Sequence, residues 1–155
     1  MTSIEEIMHR DVVTAEPDET VEVVVRRMSD AGIGAAVIVE AGEVRALFSE
    51  RDLLNRVVGD GLHPATTRVI QVATEQVVSV PRTASIRTCA EALRKRRSRH
   101  LPVVEDGRPI GIVSARDFFE LLSGSLEGLV DHLRYENQLA EDQDPYDHLG
   151  GSYGR

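Results

Sequence analysis

The sequence has no tryptophan, and aromatic residues make up only 4% of its 155 positions. Hydrophobic residues nevertheless reach 41%, so the core must be built from Val, Ile, Leu and Ala. The chain has one cysteine, Cys89, which excludes an internal disulfide and fits a reducing compartment. The N-terminal stretch, MTSIEEIMHR, includes two Glu and no apolar stretch, so we expect no secretory signal.

Long apolar runs and positive charge are also scarce. No run approaches the ~20 residues of a membrane span. The 18 Lys and Arg residues are outnumbered by 26 Asp and Glu, giving a net charge of −8, which argues against a surface that attracts nucleic acid or acidic lipid. We therefore expect a cytoplasmic protein with no membrane partner, built as one compact domain or as two small ones that share an interface.

Motifs for catalysis are absent as well. Neither a glycine-rich P-loop with Lys nor a G-x-S-x-G motif occurs in the sequence. Cys89 lies on the apolar face of a predicted helix, so we interpret it as a packing residue rather than a nucleophile. The five histidines are scattered without the spacing of metal ligands: His9, His63, His100, His132 and His148. The sequence thus predicts no metal site and no enzyme activity.

What the chain does contain is one short motif in two copies. In IGIVSARDFFELL, which starts at Ile110, an apolar strand ends at Ser114 and a helix follows. Free backbone N–H groups and the positive end of the helix dipole favour an anion at such a corner. The same pattern occurs earlier, in VRALFSERDLLNRVV, where Ser49, Arg51 and Asp52 correspond to Ser114, Arg116 and Asp117. We call the constant spacing from Ser49 to Ser114 the repeat offset.

The duplication extends beyond this corner. Each copy has a V-V-[TS] strand, a helix with apolar positions at i, i+3, i+4 and i+7, an apolar strand, a glycine turn and a closing strand and helix. We predict an α/β (α+β) fold in which two β-α-β-β-α repeats, residues 1–62 and 63–123, pack together with pseudo-two-fold symmetry. Residues 59–68, with two Gly and one Pro, form the predicted linker.

Residues 124–155 differ in character. Leu126, Leu129, Val130 and Leu133 indicate a further amphipathic helix to about Leu139. That helix could cover part of the same chain or pack against a second copy. Residues 141–155 are acidic and then glycine-rich, and we expect them to be a flexible, disordered tail.

The paired units resemble the CBS-domain (cystathionine-β-synthase domain) family, whose tandem pairs form Bateman modules. The second copy is the better match, with HLPVVEDGRPIGIVSARD at residues 100–117. The first copy, GAAVIVEAGEVRALFSERD, departs from the family pattern, because Val37 replaces the usual Pro and Ala46 the usual Gly. The resemblance covers residues 5–123 and implies a stand-alone pair.

The resemblance implies that an adenosine-containing ligand (AMP, ADP or ATP, less often S-adenosylmethionine or NAD) binds in clefts between the repeats. The motif Asp would then contact the ribose hydroxyls, and the Ser would lie near ribose or phosphate. By position, the second cleft would use Ser79, Arg99, His100, Pro102, Ser114, Arg116 and Asp117. The first would use Thr14, Gly34, Ala35, Ser49 and Asp52. It also implies a homodimer and an unknown downstream protein partner.

Other interpretations of the same residues stay open. Each Ser-x-x-Asp is also a helix-capping arrangement, and a cap can touch a ligand as well. The basic run RKRRSRH, residues 94–100, is typical of a solvated helix end, of a phosphate contact or of a nucleic-acid patch. The leading hypothesis is a nucleotide sensor, the second is a ligand-free dimerisation or interaction module, and a nucleic-acid binder comes third.

Overall fold

The computed structural model describes residues 3–96 and 98–142. A 3₁₀ turn, Ile4–Glu6, comes first. The elements after it are β1 (Thr14–Ala15), α1 (Val21–Ala31), β2 (Ala35–Glu40), β3 (Glu43–Ser49), α2 (Glu50–Asp52, continued by π-helical turns at Leu53–Val58), α3 (Val69–Val72), β4 (Val80–Pro81), α4 (Ile86–Arg96), β5 (His100–Glu105), β6 (Arg108–Ser114) and α5 (Ala115–Asp142). This order confirms the predicted mixed α+β architecture with two β-α-β-β-α halves.

Each half contributes a three-stranded sheet, in the orders β1-β2-β3 and β4-β5-β6. In both sheets the first pair is parallel and the second antiparallel. The antiparallel register shifts after Ile38 in one sheet and after Val103 in the other, and these two positions are separated by the repeat offset. The repeat seen in the sequence is therefore also a repeat of backbone geometry, and the register shift occurs at the same position in both copies.

The helices that precede the central strands begin at side-chain caps. Thr20 accepts a hydrogen bond from the Val23 N–H, and Ser85, its counterpart in the second half, accepts one from the Thr88 N–H at 3.1 Å. α1 ends at Gly32, whose φ of 65° is left-handed and suits a residue without Cβ. Both helices bury one apolar face, as their periodicity predicts.

Two tight hairpin turns join the antiparallel strands. Their central pairs, Ala41-Gly42 and Asp106-Gly107, all have φ between 50° and 81°, the backbone of a type I′ turn. Asp106 suits the left-handed region better than Ala41 does, because its short polar side chain can hydrogen-bond locally.

The two halves exchange their leading segments. Ile4 and Met8 are buried in the core of the second half, together with Cys89. Their counterparts at the repeat offset, Val69 and Ala73, are buried in the core of the first half.

The backbone repeats this exchange. The Ile4 N–H donates to the Ala84 oxygen at 3.1 Å, and the Val69 N–H donates to the Glu19 oxygen at 2.8 Å. A third apolar cluster lies between the sheets and includes Val37, Leu47 and Ile112. Each half is therefore completed by a segment that belongs to the other half in sequence.

The structure corrects the sequence prediction at four places. A short helix, α3, follows the predicted linker. The predicted first strand, Val12 to Thr14, begins later, at Thr14, and the strand predicted before Pro81 includes that residue. The predicted C-terminal helix is not separate, because α5 runs unbroken from Ala115 through Gly124 to Asp142.

The chain divides into two units after Phe118. The unit from Phe119 onward consists, within the described residues, of the remainder of α5. Seven of its large apolar side chains are exposed, from 45% at Val130 to 70% at Phe119. Residues 143–155, most of the predicted tail, lie outside the described residues.

Candidate functional site

The first corner joins β3 to α2 and is organised by Asp52. Its Oδ2 accepts hydrogen bonds from the Ser49 N–H at 2.9 Å and from the Ser49 hydroxyl at 3.1 Å. Its Oδ1 has longer contacts, at 3.4 Å to the Thr74 hydroxyl and 3.7 Å to Arg56 Nε. Asp52 is 7% exposed. Its Oδ1 is therefore largely shielded from water, although its contacts with Thr74 and Arg56 are long.

The second corner joins β6 to α5 in the same way. Oδ2 of Asp117 accepts hydrogen bonds from the Ser114 N–H at 2.6 Å and from the Ser114 hydroxyl at 2.9 Å. Its Oδ1 lies 2.7 Å from Nε2 of His9. Asp117 is also 7% exposed. Both Ser-x-x-Asp motifs are therefore helix caps, and both acids face inward rather than toward bulk water.

A cavity of about 400 Å³ opens at the first corner, a volume within the range of small-molecule sites. Its walls come from the first corner, from the segment between α3 and β4, and from the end of α4 with the start of β5. The lining residues are Leu47, Ser49, Glu50, Arg51, Asp52, Asn55, Arg56, Thr74, Gln76, Val77, Val78, Ala92, Arg96, Ser98, Arg99, His100 and Leu101. The pocket thus combines the acid of the first half with segments from much later in the chain.

The charge of this lining is opposite to that of the chain. Four guanidinium groups (Arg51, Arg56, Arg96 and Arg99) line the pocket together with two carboxylates, Glu50 and Asp52, whereas the whole chain carries −8. Leu47, Val77 and Val78 add an apolar wall. A site with a cationic rim, an apolar wall and one buried carboxylate can recognise a molecule that carries a phosphate, a flat apolar ring and hydroxyl donors.

The surroundings of His100 in this lining favour its neutral form. Burial lowers the pKa of His100, and the cation of Arg99 acts in the same direction, while Glu50 and Asp117 oppose them. A neutral imidazole has one donor and one acceptor nitrogen, so His100 can hydrogen-bond a ligand without adding charge.

The structure brings several of the predicted site residues together. Arg99 and His100, which the sequence grouped with Asp117, line the pocket that holds Ser49 and Asp52. They also adjoin the second corner, where the Arg99 oxygen accepts a hydrogen bond from the Ala115 N–H at 2.8 Å and His100 pairs with Ser114. At the second corner are Ser114, Arg116 and Asp117.

Besides the three residues of the second corner, five predicted residues lie outside the pocket lining. Thr14 and Ser79 are exposed, whereas Ala35 and Pro102 are buried in the central strands. The fifth is Gly34, whose carbonyl accepts a hydrogen bond from the Glu50 N–H at 3.0 Å.

Sequence reasoning missed several residues of the pocket. Arg56 lies one helical turn after Asp52, and this spacing could have identified Arg56 as a residue of the site. The Arg56 side chain also donates a hydrogen bond to the Ala73 oxygen at 3.0 Å. Thr74 is far from Asp52 in the chain, and only the exchange of segments between the halves brings it to the corner. Glu50 is placed by the Ser49 cap itself.

Among residues 3–96 and 98–142, no cluster of three or more His, Cys, Asp or Glu side chains could hold a metal ion. No helix in that part is both long and apolar enough to cross a membrane.

The corners, the sheets and the cap motifs recur at one offset, and a family model matches both copies. The CBS domain model matches residues 4–59 and 69–124. This chain belongs to the CBS-domain family. It contains the domain twice, in tandem, and its two sheets with their flanking helices are the fold of a CBS pair.

Relatives and solved structures agree with this assignment. The uncharacterized protein MK0525 of Methanopyrus kandleri is 32% identical over 121 residues, which are 77% of this chain and 62% of that protein. A putative signal-transduction protein with CBS domains from Burkholderia ambifaria is 28% identical with a TM-score of 0.72, over 78% of this chain and 93% of the other. The CBS domain protein PAE2072 from Pyrobaculum aerophilum, solved in complex with AMP, is 27% identical with a TM-score of 0.69, over 75% of this chain and 89% of the other. The chain spans less than two thirds of MK0525.

Proposed function

We propose that this CBS pair is a non-catalytic regulatory module that binds an adenine nucleotide (AMP, ADP or ATP) in the pocket at Asp52. The observation that carries the proposal is the buried carboxylate beside a cationic rim. The Thr74 hydroxyl and Arg56 Nε lie 3.4 and 3.7 Å from Oδ1 of Asp52, and at these distances Oδ1 can still accept hydrogen bonds from a vicinal diol, which a ribose supplies.

The remaining lining suits the other parts of a nucleotide. Arg96 and Arg99 would contact phosphate, because guanidinium groups bind phosphate oxygens through charge-assisted hydrogen bonds. Val77 and Val78 would pack against the base. The similar protein from Pyrobaculum aerophilum was solved with AMP, which supports a ligand of this class. S-adenosylmethionine and NAD share the adenosine part and remain alternatives to be tested.

A melting screen tests the proposal. The full chain would be heated with AMP, ADP, ATP, S-adenosylmethionine and NAD. A ligand at a hundred times its dissociation constant adds ~2.7 kcal/mol to the unfolding free energy, which for a chain of this size raises Tm by roughly 5–10 °C. If none of the five compounds moves the transition, the proposal fails.

Asp52→Asn is the matched variant for this screen. The amide keeps the size of the carboxylate and can still accept from Ser49, but it loses the charge and the second acceptor oxygen. We expect the variant to melt at a slightly lower temperature and to lose the ligand-induced shift. Arg108→Gln, at the start of β6, is a charge-changing control outside the pocket and should keep the full shift.

A second function, self-association, is favoured by one observation on α5. Its exposed apolar residues follow the 3-4-3-4 spacing of a coiled-coil seam: Phe119, Leu122, Leu126, Leu129 and Leu133. Such a seam matches another helix of the same kind, and a second copy of the chain supplies one. We propose that the module is a homodimer through this seam and signals occupancy to its own partner subunit or to a downstream protein.

Sedimentation at several concentrations tests the dimer. Leu126→Glu places a charge in the centre of the seam and should give a monomer that still binds nucleotide. Glu127→Gln, on the other side of the same turn, should leave the dimer intact. If the wild-type chain sediments as a monomer at high concentration, self-association through this seam is wrong.

The buried thiol agrees with a cytoplasmic site of action, which we also propose. Burial raises the pKa of Cys89, which makes the thiol less reactive, and a free buried cysteine is typical of proteins from reducing compartments.

A further inference from the structure

The two corners have the same backbone hydrogen bonds, but a different side chain contacts the Asp of the motif in each. At the first corner, the N–H of Leu47 donates to the Thr74 oxygen at 2.9 Å and the N–H of Thr74 donates back at 2.8 Å. At the second, Ile112 and His9 exchange the same two hydrogen bonds at 2.9 Å each. Thr74 and His9 are thus structurally equivalent residues, and each presents its side chain to the motif acid.

Their side chains engage the acids to very different degrees. The Thr74 hydroxyl is 3.4 Å from Oδ1 of Asp52, near the outer limit of a hydrogen bond. Nε2 of His9 is 2.7 Å from Oδ1 of Asp117, a short contact from a side chain that is itself 63% exposed. Because Ser114 already engages Oδ2 twice, both carboxylate oxygens of Asp117 have close partners from the chain itself.

The basic residues around the end of α4 also lack basic counterparts in the first half. The repeat offset relates Arg96, Arg99 and His100 to Ala31, Gly34 and Ala35. The pocket residue Ala92 corresponds to Arg27, which is paired with Glu19 at 2.6 Å and donates to the Thr14 oxygen at 2.6 Å. The positions equivalent to those that would hold phosphate in the pocket therefore carry small residues, and the arginine near them is already paired.

We infer that His9 is an internal ligand of Asp117, which occupies that carboxylate in place of a nucleotide diol and leaves the chain with one nucleotide site, at Asp52. The claim that the chain has one nucleotide site rests on the proposed function, whereas the claim that His9 binds Asp117 does not. His9 directly follows the segment that carries Ile4 and Met8 into the core of the second half. The contact therefore joins the exchanged N-terminal segment to the second corner, which makes the second acid a structural residue.

Calorimetric titration of the full chain with AMP tests the number of sites. We expect one AMP per chain for the wild type and for Asp117→Asn, with dissociation constants that agree within about twofold. Asp52→Asn should reduce the affinity by more than about tenfold, the loss of one charge-assisted interaction. Two AMP molecules per wild-type chain, or loss of binding in Asp117→Asn with a folded protein by circular dichroism, would overturn the inference.

A double-mutant cycle without nucleotide tests the internal ligand by itself. His9→Ala, Asp117→Asn and the double variant would be unfolded in urea at pH 7. We expect the pair to be coupled by about fivefold in the unfolding equilibrium constant, the range measured for contacting polar groups. The matched cycle of Thr74→Ala with Asp52→Asn should give less than about twofold, because that contact is longer (3.4 against 2.7 Å).

The two experiments separate the two proposals. If the wild-type chain binds no AMP, the proposed function loses its support, and the cycle alone decides on the internal ligand. If the cycle at His9 and Asp117 gives no coupling, the internal ligand is wrong even when AMP binds at one site.

Discussion

Truncation of one N-terminal side chain should destabilise the half of the protein that is distant from it in sequence. Ile4 is fully buried, at 0% exposure, in a cluster with Val80, Cys89 and Leu101. Ile4→Ala removes most of the side chain from that cluster and leaves a cavity, which lowers the unfolding free energy by about 3 kcal/mol. This loss is a large part of the ~5–15 kcal/mol that stabilises a domain.

Urea unfolding measures this loss, and the thiol of Cys89 reports where it occurs. In Ile4→Ala, Cys89 should react faster with a thiol reagent, because the cavity opens the core that holds both residues. Leu54→Ala deletes a similar side chain that is 65% exposed and should change the unfolding free energy by less than about 0.5 kcal/mol. A loss below about 1 kcal/mol in Ile4→Ala, with no change at Cys89, would refute the exchange of segments.

Three further predictions concern single features. Ala41→Asn should raise the unfolding free energy by about 1 kcal/mol in urea, because Asn tolerates the φ of 52° at this turn better than Ala does; a loss would contradict the turn geometry. The folded pKa of His100 is below its ordinary value of 6.5, so below that pH the unfolded chain binds a proton that the folded chain does not, and stability falls with acid. His100→Gln should flatten this fall between pH 7 and 5, whereas an unchanged slope would exclude His100 as its source. Truncation after Leu139 should leave Tm within about 2 °C, because the acidic and glycine-rich sequence that is removed has little apolar surface to bury, and its loss should cost less than about 0.5 kcal/mol; a larger drop in a melting scan would show that the end of α5 is part of the folded core.

Local features of this fold could be predicted from the sequence because they depend on nearby residues. The caps at Thr20, Ser49 and Ser114 follow from side chains that accept from amides within the next helical turn. The Asp106-Gly107 turn follows from two residues that favour positive φ. The strands on either side of each turn follow from short apolar runs. The repeat offset then predicted a second copy of each feature.

The composition of the site could not be predicted in the same way. Arg99 and Asp52 line one pocket only because the sheets pack through Val37, Leu47 and Ile112, and no local pattern encodes which half faces which. The sequence placed Arg99 with the acid of its own half, which it adjoins, but gave no sign that Arg99 also lines the pocket at Asp52.

The prediction of a separate C-terminal helix was wrong, because Gly124 was interpreted as the end of the preceding helix. A single Gly costs a helix only ~1 kcal/mol, and the residues around it continue the helix. The apolar spacing on both sides of Gly124 belongs to one helix rather than to two.

The asymmetry between the corners follows from the exchange of leading segments. Each Asp contacts a side chain that is distant from it in the sequence. The surroundings of the two Asp residues can therefore differ although the Ser-x-x-Asp motif is the same. Asp52 meets Thr74, which leaves Oδ1 half engaged, and Asp117 meets His9, which engages it fully. Both copies of the motif cap a helix, and we propose that only the copy at Asp52 also serves a ligand. The His9–Asp117 cycle distinguishes these two roles directly, since a structural acid loses stability when its partner is removed and a free one does not.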